Sequence, residues 1–129
     1  MDSSEASRRR GAAGETIAAA FLEARGYVVH ARNLRVARGE LDLLARCGQT
    51  WVAVEVKWRP AGPAFGGGGG AWRPAQRARQ ARAVAALRAT LDPEARCAWR
   101  FDLIVLEEEA RGLTLTHHRA AWTPGGEPF

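Results

Sequence analysis

Lys57 is the residue whose type is least expected from the composition of this chain. Of the 19 lysine and arginine residues, it is the only lysine. A lysine ammonium is a compact point charge whose pKa shifts readily on burial, whereas a guanidinium is planar and effectively always charged. Glu55 lies two residues before it, and Asp42 precedes both. An acid followed by Glu-x-Lys supplies the groups that metal-dependent hydrolysis of a phosphodiester needs.

The segment around Lys57 alternates in the manner of a β-strand. Side chains on a strand point alternately to opposite faces, so the valines of Val52–Val56 share one face, while Glu55 and Lys57 share the other with Ala53. A neighbouring strand could bring Asp42 beside them. Two carboxylates, a strand carbonyl and water molecules are the hard oxygen ligands that Mg²⁺ or Mn²⁺ prefers.

Each group of this set has a role in phosphodiester cleavage. A metal held by Asp42 and Glu55 would polarise a phosphoryl oxygen and lower the pKa of a water molecule. Lys57 could orient that water or steady charge on the phosphate. Glu15, near the start of the first predicted helix, could add a carboxylate directly or through water. The alternative is an exposed cross-strand ion pair, but Glu55 lies in an apolar run.

The elements that must position these residues follow from periodicity and turn signals. Apolar residues at helical spacing predict helices over 14–25 and 74–91, with Gly26 ending the first and Pro74 opening the second. Alternating or apolar runs predict strands over 27–30, 41–45, 51–57, 99–106 and 113–117. The intervening segment 107–112 is predicted to be a turn. The order αβββαββ predicts an α/β fold without internal repeats.

The chain is expected to form one domain, over 13–123. Residues 1–12 are predicted to be a disordered basic tail, and 124–129 a loose C-terminal tail. Residues 60–71 contain two prolines and five consecutive glycines, Gly66–Gly70, which predict a mobile loop.

Charge and cysteine content narrow the class of partner. The net charge of +5 favours a polyanion, with nucleic acid first and an acidic membrane surface second. Cys47 and Cys97 lie far apart and match no zinc-binding spacing. The N-terminus has no signal-peptide pattern and no segment is long and apolar enough to span a membrane, so the expected location is cytoplasmic.

Basic and aromatic residues near the loop are candidates for nucleic-acid contact. Arg73 and Arg77 could follow a phosphate backbone, although a solvated helix face explains them equally well. Arg59 points to the same face as Lys57 if the strand continues. A core or loop-anchoring role is the favoured assignment for Trp58 and Trp72, and stacking on unpaired bases is the alternative.

A series of motifs in order along the chain resembles a known family. The chain is similar to the YraN-like family of bacterial proteins, which resembles Holliday junction resolvases of the PD-(D/E)xK nuclease superfamily. The matching pieces are Gly14-Glu15 with Ala18 and Leu22, Gly26-Tyr27, Asn33-Leu34-Arg35, Gly39-Glu40-Leu41-Asp42-Leu43, Val54-Glu55-Val56-Lys57 with Arg59, Arg100-Phe101-Asp102 and Ala121-Trp122.

The resemblance carries expectations of fold and function. It implies a restriction-endonuclease-like three-layer core, a mixed β-sheet flanked by α-helices. Glu15, Asp42, Glu55 and Lys57 map onto the acidic and lysine active-site positions. The implied function is Mg²⁺- or Mn²⁺-dependent cleavage of DNA, with branched or structured DNA as a candidate, in a homodimer.

The chain departs from the family at one position, and other functions stay open. Relatives usually carry a lysine where this chain has Gln76, and nearby arginines could replace it. The first alternative function is a non-catalytic module on the same fold that binds nucleic acid or protein. A nuclease acting on RNA is the second alternative.

Overall fold

The computed structural model describes residues 3–61 and 74–122, which form an α/β fold. The predicted loop lies outside the described residues from residue 62 onward. Arg73 and the predicted tail 124–129 also lie outside them. Neither described helix is long and apolar enough to cross a membrane. The elements follow the predicted order: α1 (Ser3–Ala24), β1 (Val28–Val36), β2 (Gly39–Cys47), β3 (Thr50–Arg59), α2 (Pro74–Leu91), β4 (Ala98–Glu109) and β5 (Gly112–Trp122).

The strands form one mixed sheet in the order β1-β2-β3-β4-β5. The β1–β2, β2–β3 and β4–β5 pairs are antiparallel, whereas β3 and β4 are parallel, in register from Thr50↔Ala98 to Arg59↔Glu107. Parallel neighbours require a crossover connection, and α2 lies in it. The candidate residues of β3 are therefore on the central strand of the sheet.

Each face of the sheet is covered by one helix. Val52 and Val54 of β3 pack with Ala18 and Leu22 of α1 in one apolar cluster. Ala53 packs in a second cluster that includes residues of α2. The alternation predicted for β3 is thus confirmed, as is the core of a mixed sheet between helices. Since Glu55 and Lys57 share the face of Ala53, the candidate site lies on the side of α2.

Helix α1 begins at Ser3, so the prediction of a disordered tail over 1–12 is wrong for residues 3–12. The segment is polar, which suggested disorder, but alanine and arginine are both strong helix formers. Arg9 and Glu5 lie one helical turn apart with 3.5 Å between Nη2 and Oε1, a spacing that adds support to an exposed helix.

All five strands continue past their predicted ends, by three residues or more in β1, β4 and β5. β1 continues through Arg32 to Val36, and β4 continues to Glu109, so that only two residues separate it from β5. Edge and hairpin strands tolerate charged residues because one side faces water. The three consecutive glutamates 107–109 therefore extend a strand where their charge had predicted a turn.

A buried acid, Asp102, ties the last two strands together. Its carboxylate is fully buried and accepts two hydrogen bonds from Arg100, both at 2.8 Å. His117 lies 2.7 Å away through Nε2, and the Ala120 backbone N–H donates at 3.0 Å. Burial alone would raise the pKa of Asp102, but these hydrogen bonds outweigh it and lower the pKa. This agrees with a structural role for Asp102.

Candidate active site

The register of β2 against β3 brings Asp42 to Glu55. Regular pairing ends at Leu43↔Val54, one step before Asp42 would lie opposite Glu55. At that point the Asp42 side chain replaces the backbone as hydrogen-bond acceptor, since Oδ2 accepts a 2.8 Å bond from the Val56 N–H. The Asp42 carboxylate is thereby held against the backbone of β3, beside Glu55.

Glu55 and Lys57 form an ion pair that is largely shielded from water. Nζ of Lys57 lies 3.0 Å from Oε1 of Glu55, and each side chain is only 14% exposed. The exposed cross-strand ion pair considered from the sequence is therefore not what forms. Because the second oxygen of Glu55 accepts a hydrogen bond from Nε2 of Gln80, both carboxylate oxygens are fixed in direction.

The pKa of Asp42 is raised to about 8. Burial contributes most, followed by the negative charge of Glu55, while the hydrogen bond from Val56 acts in the opposite direction. Carboxylates that crowd one another in a partly buried site favour either a bound proton or a cation. A strongly perturbed acid beside a second acid is the electrostatic pattern of functional sites.

Glu15 joins this group through electrostatics from the opposite helix. It lies on α1, and burial raises its pKa, with Arg32 lowering it and Glu55 raising it. The negative charge of Glu15 also raises the pKa of Asp42. The four residues predicted from the sequence are therefore neighbours, with Asp42, Glu55 and Lys57 at the centre and Glu15 beside them.

Gln80 is a site residue that the sequence analysis missed. It is 3% exposed, and its Oε1 is buried with no hydrogen-bond partner, while Nε2 donates to Glu55. A buried oxygen left unsatisfied costs about 1–3 kcal/mol. The available signal was its spacing, because Gln80 lies four residues before Val84 on the apolar stripe of α2, where a polar residue is unexpected.

Gln80 borders a small cavity together with the two acids. The cavity has a volume of about 30 Å³ and is lined by Glu40, Asp42, Glu55, Gln76, Arg79 and Gln80. This is room for a water molecule or a small cation. Gln76 thus lies at the wall of the site.

The donor chemistry of this cavity suits a hard divalent cation. Two carboxylates and a carboxamide oxygen are ligands of the type that Mg²⁺ and Mn²⁺ take. Within the described ranges, no group of three or more His, Cys, Asp or Glu side chains is arranged to hold a metal ion. Water or phosphate oxygens would have to complete the coordination, as is usual for Mg²⁺.

The tip of the β1–β2 hairpin is docked directly on α2. Ala37 and Arg38 both have positive φ, 52° and 62°, which is the backbone of a tight hairpin turn and is uncommon without glycine. Next to them, a Cβ on Gly39 would overlap the backbone of Arg79 and Ala83. The close approach fixes β2 against α2 three residues before Asp42.

Among the predicted nucleic-acid contacts, Arg59 lies at the end of β3 and Arg77 lies near the start of α2. A larger groove, of about 510 Å³, opens beside the site and shares Glu40 and Arg79 with the small cavity. It also contains Arg35 and Arg38 of the hairpin. Basic residues are therefore grouped at the hairpin as well as beside the predicted loop.

Comparison with known proteins places the chain in a family. Residues 14–106 match the Uncharacterised protein family UPF0102. The chain belongs to UPF0102. A UPF0102 protein of Symbiobacterium thermophilum is 45% identical over 101 residues, covering 78% of this chain and 84% of the relative. One of Maricaulis maris is 38% identical over 117 residues, covering 90% and 87%. One of Beutenbergia cavernae is 42% identical over 108 residues, covering 84% and 90%.

Membership of UPF0102 confirms the resemblance drawn from the motifs. The matched range contains Glu15, Asp42, Glu55 and Lys57, and it also contains Gln80. The family description and the names of these relatives state no activity. Within UPF0102, the function of this chain has to be argued from its own site.

Proposed function

We propose that this chain is a metal-dependent endonuclease that hydrolyses phosphodiester bonds in DNA, with branched or structured DNA as a candidate substrate. The observation that carries the proposal is the convergence of Asp42 and Glu55 on one cavity with the unpaired oxygen of Gln80. Lys57 lies 3.0 Å from Glu55 at the same place. A structural ion pair alone would not need the extra buried oxygen.

Each of these residues would have its own role in hydrolysis. Asp42, Glu55 and Oε1 of Gln80 would hold Mg²⁺ or Mn²⁺, which would polarise a phosphoryl oxygen and lower the pKa of the attacking water. Lys57 donates hydrogen bonds to that water or to the scissile phosphate and offsets its negative charge. Glu15 adds negative charge, which favours the cation. The burial of Glu55 and Lys57 strengthens these interactions by limiting water.

Charge supports a polyanionic substrate. The chain carries +5 overall, and the groove that shares Glu40 and Arg79 with the site also holds Arg35 and Arg38. Arginine guanidinium groups bind phosphate well because their donors match its oxygens. Cutting both strands of a duplex would use two copies related by a twofold axis, so a homodimer is part of the proposal.

A non-catalytic binding module is the second candidate. It is favoured by the finding that, over residues 3–61 and 74–122, no three acidic, histidine or cysteine side chains are arranged around a metal position. Such a module would bind nucleic acid or protein through the same basic surface. Its binding would not depend on a divalent cation.

A cleavage assay separates the two candidates. Labelled linear duplex, single strand, flap and four-way junction DNA, with structured RNA as a further substrate, are incubated with Mn²⁺, Mg²⁺ or EDTA. The informative variant is Lys57→Arg, which keeps the positive charge but replaces the compact ammonium group by a planar guanidinium. The expected result is metal-dependent cutting that falls at least about 10²-fold in Lys57→Arg.

The control for this assay is Glu23→Gln, which changes an exposed acid on α1 that lies outside the site. It should cut like the wild type. Equal cutting by wild type and Lys57→Arg would indicate a contaminating nuclease. Absence of cutting on every substrate, combined with metal-independent binding, would decide for the binding module.

A further inference from the structure

The larger groove beside the site, of about 510 Å³, lies between the tip of the β1–β2 hairpin and α2. We call it the hairpin groove. Its charged lining residues are three arginines, Arg35, Arg38 and Arg79, and one acid, Glu40. Glu40 and Arg79 also line the small cavity of the candidate site. A ligand in the hairpin groove therefore lies next to that site.

The walls of the hairpin groove are held together without Glu40. The close approach of Gly39 to the backbone of α2 docks the hairpin on this helix. Nε of Arg82 also donates a 3.3 Å hydrogen bond to the backbone carbonyl of Arg38. Since these contacts hold the hairpin on α2, the charge of Glu40 is not required to shape the groove.

Glu40 lies between two of the arginines but forms only long contacts with them. Oε1 is 3.4 Å from Nε of Arg79, and Oε2 is 3.9 Å from Nε of Arg35. The Glu40 side chain is 49% exposed, and exposed ion pairs contribute little to stability. Within residues 3–61 and 74–122, the buried Nε of Arg79 donates to no acceptor. The carboxylate therefore supplies negative charge without satisfying this donor.

The ligand that suits this position is a phosphate. Guanidinium groups bind carboxylates and phosphates through the same N–H donors. The carboxylate of Glu40 therefore lies where a phosphate oxygen would contact Arg35 and Arg79. Because the two ion pairs are exposed and long, a phosphate can displace Glu40 at little cost. Nucleic acid presents such phosphates in a regular row along its backbone.

The distance between the hairpin groove and the candidate site fits a phosphate close to the scissile one. Glu40 precedes Asp42 by two residues on β2, which is about 7 Å along the strand. A DNA strand advances about 3.4 Å per nucleotide along the duplex axis. The spacing therefore corresponds to about two nucleotides.

We propose that Arg35 and Arg79 form a subsite for a phosphate of the cut strand, close to the scissile bond, and that Glu40 occupies this subsite in the free protein. This proposal rests on the proposed function and adds a substrate contact to it. Substrate binding displaces Glu40, so its carboxylate competes with the DNA backbone. Affinity for that backbone is therefore lower than the arginines alone would give.

Glu40→Gln tests the competition, because glutamine keeps the size of the side chain and removes its charge. Binding of a short labelled DNA duplex is measured in EDTA, so that neither a cation nor cleavage contributes. Affinity is expected to rise at least about fivefold. Glu94→Gln is the control, since Glu94 is also an exposed acid paired with an arginine, Arg96, but does not line the groove. It should stay within about twofold of the wild type.

Arg35→Ala tests the phosphate contact. Each phosphate that a cationic side chain neutralises adds to the salt dependence of binding, so the slope of log affinity against log salt concentration should decrease by about 1. Arg111→Ala is the control, because Arg111 is an exposed arginine in the turn of the β4–β5 hairpin, and its slope should equal that of the wild type. When Arg35→Ala and Arg79→Ala are combined, adding Glu40→Gln should no longer tighten binding.

The possible results separate the phosphate subsite from catalysis. Equal tightening by Glu40→Gln and Glu94→Gln would mean that only net charge matters and would overturn the proposal, as would an unchanged salt slope in Arg35→Ala. If the protein cuts DNA while both groove variants bind like the wild type, the subsite proposal fails and the proposed function stands. If it cuts nothing while the groove variants behave as expected, the subsite stands and the nuclease proposal fails.

Discussion

Asp42 and Asp102 are two acids in the same sheet with opposite electrostatic environments. Asp102, on β4, accepts hydrogen bonds from Arg100 and the Ala120 N–H and lies beside His117, and its pKa is lowered. Asp42, on β2, accepts a hydrogen bond from the Val56 N–H. Burial and the negative charge of Glu55 raise its pKa to about 8.

The difference indicates what each acid does. A buried carboxylate with a full set of donors is neutralised by the protein itself and holds strands in register. A carboxyl group beside a second carboxylate and an unpaired amide oxygen has too few donors to hold its negative charge, which favours a bound proton or a cation. Asp102 therefore contributes to stability, whereas the environment of Asp42 supports the proposal that it binds a cation.

Asp42→Asn is expected to have the largest effect, a loss of activity without a loss of stability. It removes a proposed cation ligand, so cleavage in Mn²⁺ should fall about a thousandfold. It also removes the repulsion with Glu55, so the free energy of unfolding should not decrease. Single-turnover cleavage and urea unfolding of the same preparation check both parts. Loss of stability together with activity would contradict the comparison.

Asp102→Asn should show the reverse pattern. Breaking a buried pair leaves the Arg100 guanidinium without its carboxylate, and the expected loss of unfolding free energy is about 3 kcal/mol. The cleavage rate of the folded fraction at low temperature should change little. Glu23→Gln is the control, since an exposed acid should alter stability by no more than about 0.5 kcal/mol. An unchanged urea midpoint for Asp102→Asn would refute the structural role.

The sequence predicted the elements whose pattern is local and failed where tertiary contacts decide. Helix α2 was predicted with both its ends, Pro74 and Leu91, because proline and an apolar stripe mark it. The alternation that places Glu55 and Lys57 on one face was equally readable. The role of Gln80 was not, because it depends on how α2 crosses over β3, and spacing along the chain does not encode that crossing.

The pH dependence of stability should distinguish the two acids. The pKa of Asp42 rises from its ordinary 3.8 to about 8 on folding, so the folded chain keeps a proton that the unfolded chain releases. The stability associated with Asp42 is therefore full at acid pH and is lost as pH rises towards 8. For Asp102, whose pKa is lowered, stability is present above the ordinary pKa and is lost in acid.

Thermal unfolding of wild type and Asp42→Asn in EDTA measures this effect. Asparagine resembles the protonated acid, so the two should agree near pH 4 and separate above it, with the wild type less stable at about pH 8. Added Mn²⁺ should stabilise the wild type and narrow or reverse the difference, because it binds only the folded site. Parallel pH curves would mean that the Asp42 pKa is not raised.

Gln80→Met gives the smallest expected effect and tests whether the unpaired oxygen belongs to the cation site. Methionine keeps the length of the side chain but removes the oxygen, so Mn²⁺ affinity should fall about tenfold, as it does when a supporting group of a metal site is lost. Gln49→Met is the control, since Gln49 lies in the β2–β3 turn. Calorimetric titration with Mn²⁺ measures both. An unchanged affinity in Gln80→Met would mean that water satisfies Oε1, leaving Asp42 and Glu55 as the only protein ligands in the proposal.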